Sequence, residues 1–384
     1  MARSPPSDPR KNPFAPGAGT PPPELAGRDE LIEGAAIALD RIRGGRAAQS
    51  FVFYGLRGVG KTVLLNSIQK SAEGRGFSCV WIEAPEEKSL LALLAPALRA
   101  AMIGLSRGEK VRSKLGKALQ ALAGFAKALK VKFQDIEFNV DYKPEKGVEA
   151  AEEHRTALVL FIDELQYVPE DQLASLIMAL HRANQKQLPV TLLAADLPQL
   201  IGQMGRAKSY AERLFKFESI DSLDAKAARE ALVLPARREK VRFEDDAIAS
   251  ILAQTKGYPY FLQEWGKHSW NVAESSPIRK SDAERAAVIA LAELDNSFFR
   301  VRSDRLTAPE KRYMRAMAEL GPGPHRSGEI AGLLGKDVTA VAPLRNNILS
   351  KGMIYSPAHG DTAFTVPLFD GYLKRILPKF EKEP

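Results

Sequence analysis

The sequence predicts an α/β protein built on a parallel sheet, followed by a helical segment and a smaller mixed unit. Three observations predict it. Short apolar runs alternate with helical patterns from residue 28 to residue 220. One of those runs, Leu158–Ile162, is apolar without a break and ends in Asp163-Glu164, as expected of a central strand buried on both faces. A glycine-rich turn sits between the first apolar run and the helix that follows it.

Composition bounds what the chain can be. Its 384 residues suggest two or three domains. With 45% hydrophobic and 27% charged residues it falls among ordinary globular proteins, outside the disordered, collagen-like and membrane classes. A single cysteine, Cys79, excludes an internal disulfide scaffold. The five histidines show no metal-ligand spacing, which speaks against a zinc site. No apolar run approaches the roughly 20 residues of a membrane helix, and the N-terminus has no apolar signal-peptide core. The expected location is therefore the cytoplasm, with no membrane partner. Lys and Arg exceed Asp and Glu by 55 to 47, giving a formal charge of +8 and suggesting an anionic partner without naming it.

The elements follow in order. Residues 1–24 are rich in Pro, Gly and Ala and read as a disordered tail, with Phe14 as its one candidate anchor. Arg28 to Arg43 has Leu31, Ile32, Ala35, Ala36, Leu39 and Ile42 spaced for one helix face. Strands are expected at Ser50–Tyr54, Cys79–Ile82, Leu158–Ile162, Val190–Ala195 and Leu214–Ile220, with helices starting near Lys61 and spanning Leu90–Ala101. Residues 104–150 interrupt this rhythm with a basic amphipathic helix, Lys110–Leu129, and a candidate hairpin over 131–142. That helix suits nucleic acid, an acidic partner or a membrane surface, and is expected instead to be a solvated face whose Leu115, Leu119, Leu122 and Phe125 dock onto the core. Residues 223–272 look helical, Ser281–Asn296 adds a further helix, and the rest reads as three helices (Ala308–Leu320, Ser327–Leu334, Asp337–Lys351) and two short strands (Met353–Tyr355 and Phe364–Val366). That order is the order of a winged helix-turn-helix. The division is a tail (1–24), a core (25–222, with the insertion), a helical lid and linker (223–300) and a winged helix (301–380).

Gly55-Leu56-Arg57-Gly58-Val59-Gly60-Lys61-Thr62 fits G-x-x-x-x-G-K-[ST] without a mismatch and leads through Val63 into a helix. Glycines let backbone N–H groups wrap phosphates, and the helix N-terminus adds its positive end. Lys61 is expected at the β- and γ-phosphates and Thr62 on Mg²⁺. Asp163 is expected to hold Mg²⁺ with Thr62, and Glu164 to orient a water toward the γ-phosphate. The cofactors are thus ATP and Mg²⁺.

Gly27-Arg28-Asp29-Glu30, Gly55–Thr62 and Phe161-Ile162-Asp163-Glu164 together resemble the AAA+ and STAND branch of phosphate-loop ATPases, nearest to the origin-recognition-like members. The resemblance implies that Gly27 and Arg28 lie along adenine and ribose, and that Pro259 of Gly257-Tyr258-Pro259 touches the base. It also implies that Arg213 acts as an arginine finger for a neighbouring subunit in a homo-oligomer, with Arg206 as a rival and a solvated charge as the plain alternative. The chain departs from the family at the end of its fourth strand, where Ala194-Ala195-Asp196 replaces the usual Asn, Thr or Ser and Thr191 lies too early. A second-sensor arginine near Gly257 is also missing. These departures point to a slow ATPase acting as a switch. Its winged helix, with Lys336, Thr339, Arg345, Asn346, Asn347 and Lys351 on or beside one helix and His359 on the wing, is expected to bind double-stranded DNA; the alternative is a STAND-like contact with a protein partner.

Overall fold

The computed structural model describes residues 8–17, 19–84, 89–106 and 157–380. Five strands form one parallel sheet: β1 (Ser50–Tyr54), β2 (Ser78–Glu83), β3 (Leu158–Asp163), β4 (Val190–Asp196) and β5 (Phe215–Ser219), in the order β2-β3-β4-β1-β5. Every side chain of β3 and β4 is buried, which explains the unbroken apolar run Leu158–Ile162 and the mostly apolar one in β4. The strands run in register from Leu158↔Val190 in β3–β4 and Phe51↔Leu193 in β1–β4, so their carboxyl ends meet at one edge of the sheet. Helices α1 (Asp29–Arg43), α2 (Lys61–Gly74), α3 (Leu90–Ser106), α4 (Glu170–Gln185), α5 (Leu200–Ala207) and the short α6 (Ala211–Leu214) complete the core. Two apolar layers fill it, one around Leu160, Ile162 and Leu176, the other around Phe53, Leu64 and Phe161. The basic helix and hairpin expected within 104–150 lie outside the described residues, apart from the end of α3.

Three helices follow: α7 (Ala225–Arg238), α8 (Asp245–Thr255) and α9 (Pro259–Val272). Asp224 caps α7 by accepting from the Ala227 N–H at 2.8 Å, and the Leu223 N–H donates to Gly257 O at 2.9 Å, so the junction with the core is closed by hydrogen bonds. Helix α10 (Lys280–Leu294) runs into a π-type turn, Asp295–Phe299, and resumes as α11 (Arg300–Ser303).

The last unit contains α12 (Ala308–Glu319), β6 (His325–Arg326), α13 (Ser327–Leu333), α14 (Val338–Ser350), β7 (Ile354–Tyr355), β8 (Asp361–Phe364) and α15 (Phe369–Ile376). Its strands form an antiparallel sheet in the order β6-β8-β7. The sequence pattern misses β6, whose two residues are too short to show alternation, and α15, and it sets the last strand two to three residues late.

Residues 8–17 and 19–24 correct the reading of a disordered tail. They form a strap that runs along α9 over residues 8–15 and then passes the pocket to reach Arg238 of α7 at Pro23 and Glu24. Trp270 Nε1 donates to Asp8 O at 3.1 Å, and Asn12 Nδ2 donates to Lys267 O and Asn271 Oδ1, both at 2.9 Å. Phe14 is buried edge-on against Phe243 and lies so close to Gly266 that a β-carbon there would come within 2.6 Å of its ring. A proline-rich stretch has little core of its own, and here one aromatic and a few backbone bonds to a rigid helix fix it.

Candidate nucleotide site

Beyond β1 the chain turns through Gly58 and Gly60, both at positive φ (85° and 90°), and enters α2 at Lys61. Gly60 occupies the N-cap in the left-handed region, where a β-carbon would be strained. The helix therefore begins with free N–H groups facing the loop. Lys61 Nζ donates to Gly55 O and Leu56 O, each at 2.8 Å, so its charge rests on neutral acceptors. Burial lowers its pKa to about 8, with Glu164 pulling upward and Arg57 pushing further down.

The end of β3 supplies the acids. Thr62 Oγ1 donates to Asp163 Oδ2 at 2.6 Å, and the Glu164 N–H donates to Asp163 Oδ1 at 2.9 Å. Burial raises the Asp163 pKa against these hydrogen bonds. A hydroxyl and a carboxylate held together are hard oxygen donors of the kind Mg²⁺ takes, so the pair fits that ion. Glu164 adopts the left-handed region (φ 54°), an uncommon conformation for a residue with a β-carbon. Its carboxylate accepts from Gln166 Nε2 and lies 3.6 Å from the Arg57 guanidinium, which also donates to the Tyr167 hydroxyl at 3.1 Å.

These groups open into a pocket of about 400 Å³. Of the residues the sequence singles out, Arg28, Arg57, Gly58, Val59, Gly60, Lys61, Thr62, Val63, Glu164 and Pro259 all line it. Gly55 and Leu56 contribute the carbonyls under Lys61, Asp163 enters through Thr62, and Gly27 stands one residue back against Ala227. Arg28 donates to Val59 O at 3.2 Å and Asp221 O at 2.5 Å, tying the pocket to the core–lid junction. Pro259 opens α9, and the next N–H, from Tyr260, donates to Gly58 O at 3.2 Å.

Other expected groups lie elsewhere. Arg213 is exposed and lines a separate groove with Ile37, Gln49 and Lys216, by the amino ends of β1 and β5 and thus across the sheet from the phosphate loop. Arg206 is 3.6 Å from Glu170. Thr191 is hydrogen-bonded near Ser50 at the far end of β4 (3.3 Å between hydroxyl oxygens), as its early position in the strand implies. Asp196 ends β4 beside the loop, with its backbone O accepting from the Gly55 N–H at 3.1 Å. It is fully buried, and burial pushes its carboxyl well above the ordinary range, which favours the neutral acid and lessens the objection to an acid near phosphate.

The sequence reading misses several wall residues. Pro16, Gly17, Gly19 and Thr20 reach the pocket because the strap carries them there, and Gln263, Phe298 and Arg302 come from lid and linker. No spacing rule joins residue 302 to residue 61; only the hinge between α10 and α11 does. Away from the pocket, Glu264, His268 and Glu293 bring ligand-type atoms within 4.8 Å of one another, but Lys267 Nζ is 2.9 Å from Glu293 and already lies against the acids.

Residues 24–193 match the family described as the AAA ATPase domain. The match spans less than half of the chain, and the enzyme activity it supports is ATP hydrolysis. Residues 296–373 match a second family, described as a domain of unknown function (DUF8462). Among solved structures the chain is similar to the Walker-type ATPase paby2304 of Pyrococcus abyssi (16% identity, TM-score 0.55, covering 94% of this chain and 99% of that one). It is also similar to the Aeropyrum pernix ORC1 protein solved in complex with DNA (15%, 0.50, 95% and 96%). The Thermotoga maritima RuvB Holliday junction branch migration motor matches at 15% identity and a TM-score of 0.46, over 94% and 96%. At these identities the likeness concerns the fold. No curated protein matches the chain. Among the described residues no helix is long and apolar enough to cross a membrane.

Proposed function

We propose that this protein is a slow, Mg²⁺-dependent ATPase that works as a nucleotide-operated switch, with residues 308–376 as a winged helix whose position answers to the phosphate loop. One contact carries the reading. The Arg57 N–H, inside the loop, donates to Thr365 O at 2.9 Å, so the backbone that wraps phosphate is hydrogen-bonded to the C-terminal unit. A change in the loop cannot leave that unit unaffected.

Within this reading Lys61 stabilises charge on the transferred phosphoryl group, and Thr62 and Asp163 would hold Mg²⁺, which would supply neutralisation of phosphate charge. Glu164 orients the attacking water, but only after Arg57 and Gln166 release its carboxylate, which fits slow turnover. Arg28 and Pro259 flank the nucleoside. Arg213, exposed on the opposite side of the sheet, suits a finger for a neighbouring subunit's site, and homo-oligomer formation and a cytoplasmic location belong to the same proposal.

The partner surface favours protein over DNA. Arg345 donates to Thr362 Oγ1 (2.8 Å), Asp361 O (2.9 Å) and Ser356 Oγ (3.0 Å), and Lys351 donates to Glu310 at 2.6 Å. Two of the cations expected on DNA thus hold the unit's own hairpin and first helix. The exposed positions of α14 are Val338, Thr339, Ala340, Pro343, Asn346, Asn347 and Ser350, none of them charged. Lys61→Ala is expected to abolish ATP binding by isothermal titration; retained binding refutes the site. Random duplex DNA at low salt is expected to bind negligibly. A steep loss of affinity with added salt would instead put DNA in the partner's place.

A further inference from the structure

Part of the pocket wall, Phe298 and Arg302, belongs to the linker, which leads into the C-terminal unit. After α10 the helix opens into the π-type turn Asp295–Phe299, a feature found in other helices mostly at functional positions. The turn lays Phe298 on Tyr260, with ring centroids 4.7 Å apart and planes 23° from parallel, and Tyr260 is the residue whose N–H holds Gly58 O. One turn later Arg302 lies over the Phe298 face, its guanidinium carbon 3.8 Å from the centroid, and Nη1 donates to Phe298 O at 2.7 Å. An aromatic rail therefore runs from the loop to Arg302 and aims it.

Arg302 lines the same pocket as Arg57, Lys61 and Glu164. Among the described residues it has no carboxylate within salt-bridge distance. Burial, and after it the charge of Arg57, hold its pKa down to about 10. An arginine partly withdrawn from water, beside a second arginine and lacking an ion-pair partner, is an unfavourable arrangement that an anion between them would relieve. A planar guanidinium with free N–H donors suits phosphoryl oxygens.

We propose that Arg302 is a binding residue for the terminal phosphoryl group of ATP, so that the linker into residues 308–376 forms part of the site and distinguishes ATP from ADP. The proposal rests on the ATP site described above. Its consequence is that ATP draws the linker toward the loop, while ADP leaves Arg302 on Phe298.

The test uses the full chain with Mg²⁺ and two probes, ADP and a β,γ-imido analogue of ATP, in isothermal titration. Arg302→Gln is expected to weaken the analogue about tenfold or more while ADP stays within about twofold; Arg302→Lys is expected to fall between. Equal losses for both probes, or no loss for either, overturn the assignment. Should Arg302→Gln fail to fold, hydrogen exchange on the unaltered protein decides: amides of 295–305 gain more protection from the analogue than from ADP if the proposal holds, and equal protection overturns it. Lys61→Ala separates this failure from that of the underlying site. If that variant binds both probes normally, the ATP-site reading itself falls. If it loses both while Arg302→Gln loses neither, only Arg302 is misassigned.

Discussion

The nucleotide pocket and the C-terminal unit are both rich in cations, yet the two regions use them in opposite ways. In the pocket, Lys61 and Arg28 rest on backbone carbonyls, neutral acceptors that leave the positive charge free for an anion, while Arg57 meets an acid, Glu164, at 3.6 Å. In the C-terminal unit, Lys351 meets Glu310, Arg326 meets Asp361 at 3.1 Å, Arg315 pairs with Glu319, and Arg375 reaches back to Asp295 at 2.6 Å. Those charges are neutralised inside the fold and hold turns together. A net charge of +8 therefore says less about a partner than the identity of each cation's acceptor does.

The sharpest way to probe the pocket's side of this contrast after Lys61 is Glu164→Gln. Loss of the carboxylate is expected to slow phosphate release about a hundredfold or more, the range of a general base, with ATP affinity little changed. Unchanged turnover in a steady-state phosphate assay would remove Glu164 from the reaction. Phe14→Ala tests whether the strap belongs to the pocket. Truncating a buried aromatic costs about 3 kcal/mol or more. Since the strap can detach without unfolding the core, the loss is expected to appear as faster hydrogen exchange over residues 8–17 and weaker ATP binding. Unchanged ATP affinity with the strap released would take Pro16 to Thr20 out of the site.

On the other side of the contrast, Arg345→Ala should behave as a structural lesion. Leaving Thr362 Oγ1, buried with its residue, short of a donor and freeing the turn at Ser356 and Asp361 is expected to cost about 2 kcal/mol in denaturant unfolding. A residue kept for DNA would show little stability change on removal.

Legibility in the sequence follows the same division. The gathering of Gly55–Thr62 and Asp163 around one pocket was legible because phosphate wrapping, the role proposed for them, demands particular residue types at fixed spacing, and Leu158–Ile162 because burial on both faces leaves no polar position. Arg302 was not readable, because a side chain reaches the pocket from 241 residues away only through the π-type turn and the Tyr260–Phe298 stack. The hydrogen-bond partners of Arg345 and Lys351 were illegible for a related reason. Helical periodicity gives the face on which a cation lies, but not the hydroxyl or carboxylate that tertiary packing places beside it.

The smallest effect expected concerns Glu310. Its carboxylate accepts from Lys351 Nζ at 2.6 Å and from the Thr307 N–H at 2.7 Å, closing the start of α12. Burial alone pushes its pKa up, but the hydrogen bonds from Lys351 and Thr307 outweigh it, and the net direction is down. A carboxyl lowered in the folded state adds stability above its unfolded pKa and loses that contribution as pH falls through the folded value. Glu310→Gln keeps an acceptor and removes only the charge. The variant is therefore expected to be less stable than the unaltered protein by about 1 kcal/mol near neutral pH, with the gap closing as pH falls through the carboxyl's lowered folded value. Denaturant unfolding followed at several pH values measures that gap directly. A gap independent of pH would mean that the Lys351–Glu310 pair contributes shape rather than charge, and that the C-terminal unit does not neutralise its cations in the way the contrast with the pocket requires.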